Sequence, residues 1–111
     1  MQQTKAGQQL RVLMGDDSQD QYTLVRDMLA AAGEARAEVD WAATYYEGLS
    51  SIEVNDYDVC LIDYDLGNHN GLDFISKVKK MRPFLPLILL TGHGSREVDL
   101  KAMEAGAVDY L

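Results

Sequence analysis

Basic residues are few in this sequence, and they form no long cluster. Its 111 residues include 10 Lys plus Arg against 18 Asp plus Glu, a formal net charge of −8, and the longest basic run is Lys79-Lys80. Duplex nucleic acid and anionic lipid are bound mainly through basic patches that release counterions. We therefore expect no direct binding of nucleic acid and no association with a membrane.

Long apolar runs and cysteines are also scarce. No stretch approaches the roughly 20 apolar residues that a membrane span needs, and the first nine residues lack the apolar core of a signal peptide. With Cys60 as the single cysteine, the chain cannot form an internal disulfide framework. We expect a cytoplasmic protein with a polar tail at residues 1–9 and one domain over residues 10–111.

Short apolar segments alternate with segments of helical periodicity. Nearly continuous apolar runs predict buried strands at residues 10–15, 58–62 and 87–90. Alternation at residues 38–42 predicts an edge strand, and a fifth strand begins at Val108.

Helical spacing and cap residues predict a helix after each of the first four strands. With their caps, these helices cover residues 18–33, 45–54, 70–82 and 95–105. Strands that alternate with helices through short connections favour right-handed crossovers. The fold class is therefore α/β, with a doubly wound parallel sheet. The first helix has an apolar face formed by Leu24, Val25, Met28, Leu29 and Ala32.

Acidic and hydroxyl side chains directly follow three of the predicted strands. Asp16 and Asp17 follow the first strand, Asp63 follows the third, and Thr91 with Gly92 follows the fourth. Because the carboxyl ends of parallel strands meet at one edge of a sheet, we expect these residues to share one rim. Three carboxylates repel one another unless a cation neutralises them, so the cluster predicts a divalent ion. Mg²⁺ suits such oxygen ligands.

A carboxylate beside bound Mg²⁺ can attack phosphorus and form an aspartyl phosphate, because the metal offsets the charge that repels the phosphoryl group. Thr91 could then donate a hydrogen bond to a phosphoryl oxygen. Gly92 has no side chain and leaves room for that group.

In this order, the segments resemble the receiver domain of bacterial two-component response regulators. The resemblance covers residues 10–111, and it implies a flavodoxin-like sheet with strand order 2-1-3-4-5. It also implies a switch that passes its signal to an output domain or partner. The matching positions are Asp16-Asp17, residues 61–66 around Asp63, Gly71, residues 90–92 and residues 105–111.

The resemblance implies a role for each acidic residue. Asp63 would accept phosphate from a phosphohistidine on a sensor histidine kinase or phosphotransfer protein. Asp17 and Asp63 would hold Mg²⁺ together with the backbone carbonyl of Asp65, and Asp16 would act through metal-bound water. Catalysis would be limited to the domain's own phosphorylation and dephosphorylation.

Two further residues are implied to form the switch. Thr91 would turn toward the phosphoryl group, and Tyr110 on the fifth strand would swing inward behind it. Domains of this kind also commonly form homodimers through the face of the fourth helix and fifth strand.

The sequence departs from the family pattern in two places. Gly67 stands where the family usually has proline. The family's lysine, three residues after the aromatic, would fall just past Leu111, and the fifth helix is missing. We therefore expect a fragment that is incomplete at its C-terminus.

The sequence also leaves alternatives to this interpretation open. Asp63-Tyr64-Asp65 fits the D-x-D signature of haloacid-dehalogenase-like phosphatases, although the paired acids come first here and last in that family. A receiver-like interaction module without phosphorylation is a second alternative. A transition-metal site using His69 and His93 is a third, but lone loop histidines without ligand spacing are usually solvated.

Overall fold

The structure is a computed structural model that describes residues 10–31, 37–90, 96–107 and 109–110. Its elements are β1 (Leu10–Gly15), α1 (Gln19–Ala31), β2 (Ala37–Ala42), α2 (Tyr45–Val54), β3 (Val59–Asp63), β4 (Asp65–Leu66), β5 (His69–Asn70), α3 (Gly71–Met81), β6 (Leu87–Leu90), α4 (Arg96–Ala105) and β7 (Asp109–Tyr110). Several positions used in the sequence analysis lie outside the described residues: Ala32, Gly33, Thr91, Gly92, His93, Ser95, Val108 and Leu111.

Five strands form one parallel sheet in the order β2-β1-β3-β6-β7. Leaving out the short strands β4 and β5, which pair only with each other, this is the predicted order 2-1-3-4-5. The α/β fold and the strand order are thus confirmed. The order reverses between β1 and β3, and in open sheets of this kind the crevice beyond that point holds ligands.

The core has one layer on each face of the sheet, because alternate residues of a strand point to opposite faces. On β1, Val12 and Met14 belong to one buried cluster and Leu13 belongs to the other. The larger cluster takes in residues of α2 and α3 and includes Ile52, Cys60, Ile62, Leu66, Phe74, Ile75, Val78, Leu87 and Leu89.

Helix α1 covers the other face of the sheet with part of its apolar side. Tyr22, Val25 and Leu29, spaced three and four residues apart, pack against the cluster of Val12, Met14 and Val39. Leu24 and Met28, on the same apolar side of the helix, are 52% and 60% exposed. They lie beside the row that faces the sheet.

A short hairpin lies between β3 and α3. Strands β4 and β5 form an antiparallel hairpin with register pairs Asp65↔Asn70 and Leu66↔His69. Gly67 adopts φ 64° in the turn, a conformation that glycine tolerates without steric cost. Helix α3 begins directly afterwards, with the Asn70 side chain accepting a hydrogen bond from the N–H of Asp73 at 2.9 Å.

No helix within the described part of the chain has both the length and the apolar character needed to cross a membrane.

Candidate functional site

The register of β1 and β3 places two acids side by side at the carboxyl edge of the sheet. Gly15 pairs with Ile62, so Asp16 and Asp63 are the next residues along the two neighbouring strands. Asp63 pairs in turn with Leu90 on β6. The edge is therefore built from the ends of β1, β3 and β6, where the strand order reverses.

Three carboxylates converge at this edge. One oxygen from each of Asp16, Asp17 and Asp63 lies within 4.8 Å of the others. The Asp16 residue is only 4% exposed, Asp63 is half-buried and Asp17 is exposed. One side of the cluster is therefore enclosed by protein, and the side at Asp17 faces solvent.

Backbone hydrogen bonds fix the two less exposed acids. The N–H of Ser18 donates to Oδ1 of Asp16 at 2.9 Å, and the N–H of Asp16 donates to the carbonyl of Ala42 at 3.0 Å. The N–H of Asp65 donates to Oδ2 of Asp63 at 3.1 Å. Both carboxylates are thus oriented by the backbone of the loops that follow their strands.

Negative charge is concentrated in the cluster, and burial disfavours it. The pKa of Asp63 is raised to about 6, chiefly by burial and then by the charges of Asp16, Asp65 and Asp17, while the hydrogen bond from the Asp65 N–H lowers it. The pKa of Asp16 is also raised, first by burial and then by Asp17 and Asp65, while its hydrogen bond from Ser18 lowers it. A bound cation would relieve this repulsion.

Trp41, which sequence reasoning would assign to packing, contacts the acidic loop directly. Its indole N–H donates to the backbone carbonyl of Asp16 at 2.7 Å, and its ring stacks on Tyr22 with centroids 5.6 Å apart. One general rule pointed to a contact of this kind: a partly buried tryptophan needs an acceptor for its N–H. As the single tryptophan of the sequence, it is a natural fluorescence reporter for this site.

Of the other residues predicted for the site, Asp65 and Tyr110 lie within the described part of the chain. Asp65 is exposed on β4, and its backbone N–H contacts Asp63. The backbone of Tyr110 pairs with Leu89 at the sheet edge. Thr91, next in the chain after β6, and His93 lie outside the described residues.

His69 does not join the acidic cluster. Its ring stacks on Tyr45, with centroids 4.3 Å apart. Among the described residues, the group with metal-ligand geometry consists of Asp16, Asp17 and Asp63 alone. The arrangement gives no support to a histidine metal site.

The raised pKa of Asp63 predicts a pH-dependent stability in the absence of divalent cations. Its folded-state value, about 6, exceeds the ordinary value of 3.8. The folded state therefore binds the proton more tightly, and the stability that this proton provides is lost as the pH rises from about 4 to about 6. We expect a loss on the order of 1 kcal/mol after solvent screening.

The measurement is denaturant unfolding in EDTA at several pH values, comparing the wild type with Asp63→Asn. The asparagine variant should lack this part of the pH dependence. Identical pH profiles for the two proteins would contradict the assignment.

These observations define a class: a doubly wound α/β domain with a carboxylate cluster at the switch point of its sheet. Residues 12–111 match the sequence model of the response regulator receiver domain. The chain therefore belongs to the response regulator receiver domain family. It is a phosphoacceptor module of two-component signal transduction, as the resemblance implied.

Known relatives agree with this assignment. The alginate biosynthesis transcriptional regulatory protein AlgB of Pseudomonas aeruginosa is 32% identical over 109 residues, which are 98% of this chain and 24% of AlgB. A protein-glutamate methylesterase/protein-glutamine glutaminase of Escherichia coli is 33% identical over 108 residues, covering 92% of this chain and 29% of that enzyme. The chain thus spans less than a third of the length of either relative.

A solved structure shares the fold closely. The CheY-like response regulator receiver domain protein of Methanospirillum hungatei superimposes with a TM-score of 0.83 at 32% sequence identity, covering 93% of this chain and 80% of that one. The comparisons give no support to a haloacid-dehalogenase-like phosphatase or to an interaction module that has lost phosphorylation.

Proposed function

We propose that Asp63 is the phosphoacceptor of this receiver domain. The observation that carries the proposal is the convergence of Asp16, Asp17 and Asp63 within 4.8 Å at the carboxyl edge of the sheet. With a pKa of about 6, Asp63 is mainly ionised at neutral pH and has a nucleophilic oxygen. Its Oδ2 accepts a hydrogen bond from the backbone N–H of Asp65, which fixes the orientation of the carboxylate.

The phosphoryl donor would be a phosphohistidine on a sensor histidine kinase or a phosphotransfer protein. A carboxylate oxygen of Asp63 attacks phosphorus, an O–P bond forms and the P–N bond of the donor breaks. The imidazole departs with the bonding electrons and takes up a proton, and the product is an acyl phosphate on Asp63. The catalysis required of this chain is limited to its own phosphorylation and dephosphorylation.

The acidic cluster suits Mg²⁺, because its donors are all carboxylate oxygens and one side is open to solvent. Asp16, Asp17 and Asp63 would hold the ion together with the backbone carbonyl of Asp65. When bound, Mg²⁺ supplies positive charge that offsets repulsion between the carboxylate and the incoming phosphoryl group.

Thr91 and Tyr110 would report phosphorylation to the rest of the protein. Thr91 directly follows Leu90, the register partner of Asp63, and Tyr110 lies on the neighbouring strand β7. A phosphoryl group brings new acceptor oxygens that a threonine hydroxyl can meet, and the aromatic would then move into the vacated space.

The signal would pass in the cytoplasm to an output domain or a separate partner. This accords with the match of this chain to only part of a transcriptional regulator and part of a methylesterase. The face of α4 and β7 is the proposed site of homodimerisation. Leu100 and Met103 on α4 are 55% and 43% exposed and would supply apolar contact area there.

The test is incubation with Mg²⁺ and acetyl phosphate or phosphoramidate, followed by intact-mass measurement. We expect an adduct of about 80 Da, the mass of one phosphoryl group, that requires Mg²⁺. The adduct should be absent from Asp63→Asn and present in Asp73→Asn, a control that removes an exposed acid from the first turn of α3. An adduct that survives in Asp63→Asn would overturn the proposal.

A further inference from the structure

The β4–β5 hairpin is too short to hold its own geometry. Each strand has two residues, and the turn between them contains Gly67 at φ 64°. Isolated two-stranded hairpins are marginally stable in water even when they are longer than this. Contacts with the rest of the protein must therefore fix the hairpin beside Asp63.

Two side chains on one face of the hairpin make such contacts. Leu66 and His69 are directly opposite in the register, so their side chains share a face. Leu66 is 1% exposed and belongs to the larger core cluster. The imidazole of His69 lies nearly parallel to the Tyr45 ring, with centroids 4.3 Å apart and an interplanar angle of 13°.

Tyr45 is itself held by the core. It is the first residue of α2, and its ring meets Phe74 edge-on with centroids 6.0 Å apart. Phe74 is fully buried on α3. The stack therefore connects the hairpin to a rigid part of the fold, and the exposed ring of Tyr46 meets His69 edge-on at 5.2 Å.

Strand β4 of the hairpin contacts Asp63. The N–H of Asp65, on β4, donates to Oδ2 of Asp63 at 3.1 Å. The connection thus runs from the core through Tyr45 to His69, from His69 to its register partner Leu66, and along β4 to Asp65, whose N–H meets the carboxylate of Asp63.

We propose that the Tyr45–His69 stack is a positioning device that holds the Asp65 backbone against Asp63 and so sets the geometry of the metal and phosphoryl site. The inference rests on the proposed function of Asp63. His69 and Tyr45 touch neither the acidic cluster nor a reacting atom, and they act through the hairpin. An aromatic stack of this kind corresponds to an effect of about 3- to 10-fold on an equilibrium constant.

The test compares His69→Ala, which removes the ring, with His69→Phe, which keeps a stacking ring. Mg²⁺ affinity is followed by Trp41 fluorescence, since the indole donates to the Asp16 carbonyl. We expect Mg²⁺ binding to weaken about 3- to 10-fold in His69→Ala and to return toward the wild-type value in His69→Phe. Phe84→Ala, which removes a 96% exposed aromatic, is the matched control and should bind Mg²⁺ normally.

A second readout is independent of metal. The amide of Asp65 should exchange with solvent faster in His69→Ala than in the wild type, His69→Phe or Phe84→Ala. Unchanged amide exchange in His69→Ala would overturn the inference. If the wild type binds Mg²⁺, an equal Mg²⁺ affinity in His69→Ala would overturn it as well. If the wild type binds no Mg²⁺, the proposed function fails, and the amide exchange still decides whether the stack positions Asp65.

Discussion

Asp16→Asn is expected to stabilise the metal-free protein and, in the same molecule, to weaken Mg²⁺ binding. Asp16 is 4% exposed and lies within the carboxylate cluster, so its charge is both poorly solvated and repelled by Asp17 and Asp63. Asparagine keeps the oxygen that accepts from the Ser18 N–H but removes the charge. We expect a gain on the order of 1 kcal/mol in unfolding free energy without metal.

The same charge is what would attract a divalent cation. Losing it should reduce Mg²⁺ affinity by about 10- to 100-fold. Thermal unfolding in EDTA and Mg²⁺ addition monitored by Trp41 fluorescence measure the two effects. Asp20→Asn is the control, because it removes an exposed acid from the first turn of α1 outside the cluster. A destabilised Asp16→Asn variant with wild-type Mg²⁺ affinity would contradict the account.

Gly71→Ala is expected to destabilise the protein, although helix propensity alone predicts the opposite. Gly71 is the first residue of α3, where alanine would be favoured by up to about 1 kcal/mol. A Cβ at this position would overlap the backbone carbonyl oxygen of Asp63 and lie 3.2 Å from Cα of Tyr64. Because backbone atoms cannot move aside cheaply, we expect a net loss of more than about 2 kcal/mol.

The overlap is with the backbone of Asp63, the residue that carries the proposed function. Gly71→Ala should therefore lower Mg²⁺ affinity as well as the unfolding temperature, by about 8 °C or more for a domain of this size. Gly67→Ala is the matched control: its Cβ would meet nothing within 4 Å, and only its positive φ carries a cost, of roughly 1 kcal/mol. Equal effects of the two substitutions would show that the close approach to Asp63 has no influence.

The sheet and its acidic edge could be predicted because their signals are local. The apolar run at residues 87–90 and the one before Asp63 each mark a buried strand, and parallel pairing then brings strand ends to one edge. The order of the five strands came from the family resemblance.

The supports of the site could not be predicted, since they depend on contacts between distant segments. Two-residue strands are shorter than any periodic pattern, so the sequence does not reveal the β4–β5 hairpin. The bond from Trp41 to the Asp16 carbonyl spans 25 residues, and the stack of Tyr45 on His69 joins two separate elements. Such pairs become visible only when the register and the helix positions are known.

Chemical trapping of the acyl phosphate shows which residue carries the phosphoryl group. After reaction with acetyl phosphate and Mg²⁺, borohydride reduces an aspartyl phosphate to homoserine, which peptide mass spectrometry locates in the chain. We expect homoserine at position 63, dependent on both Mg²⁺ and the phosphoryl donor. Homoserine at Asp16, Asp17 or Asp65 instead, with Asp63 intact, would contradict it.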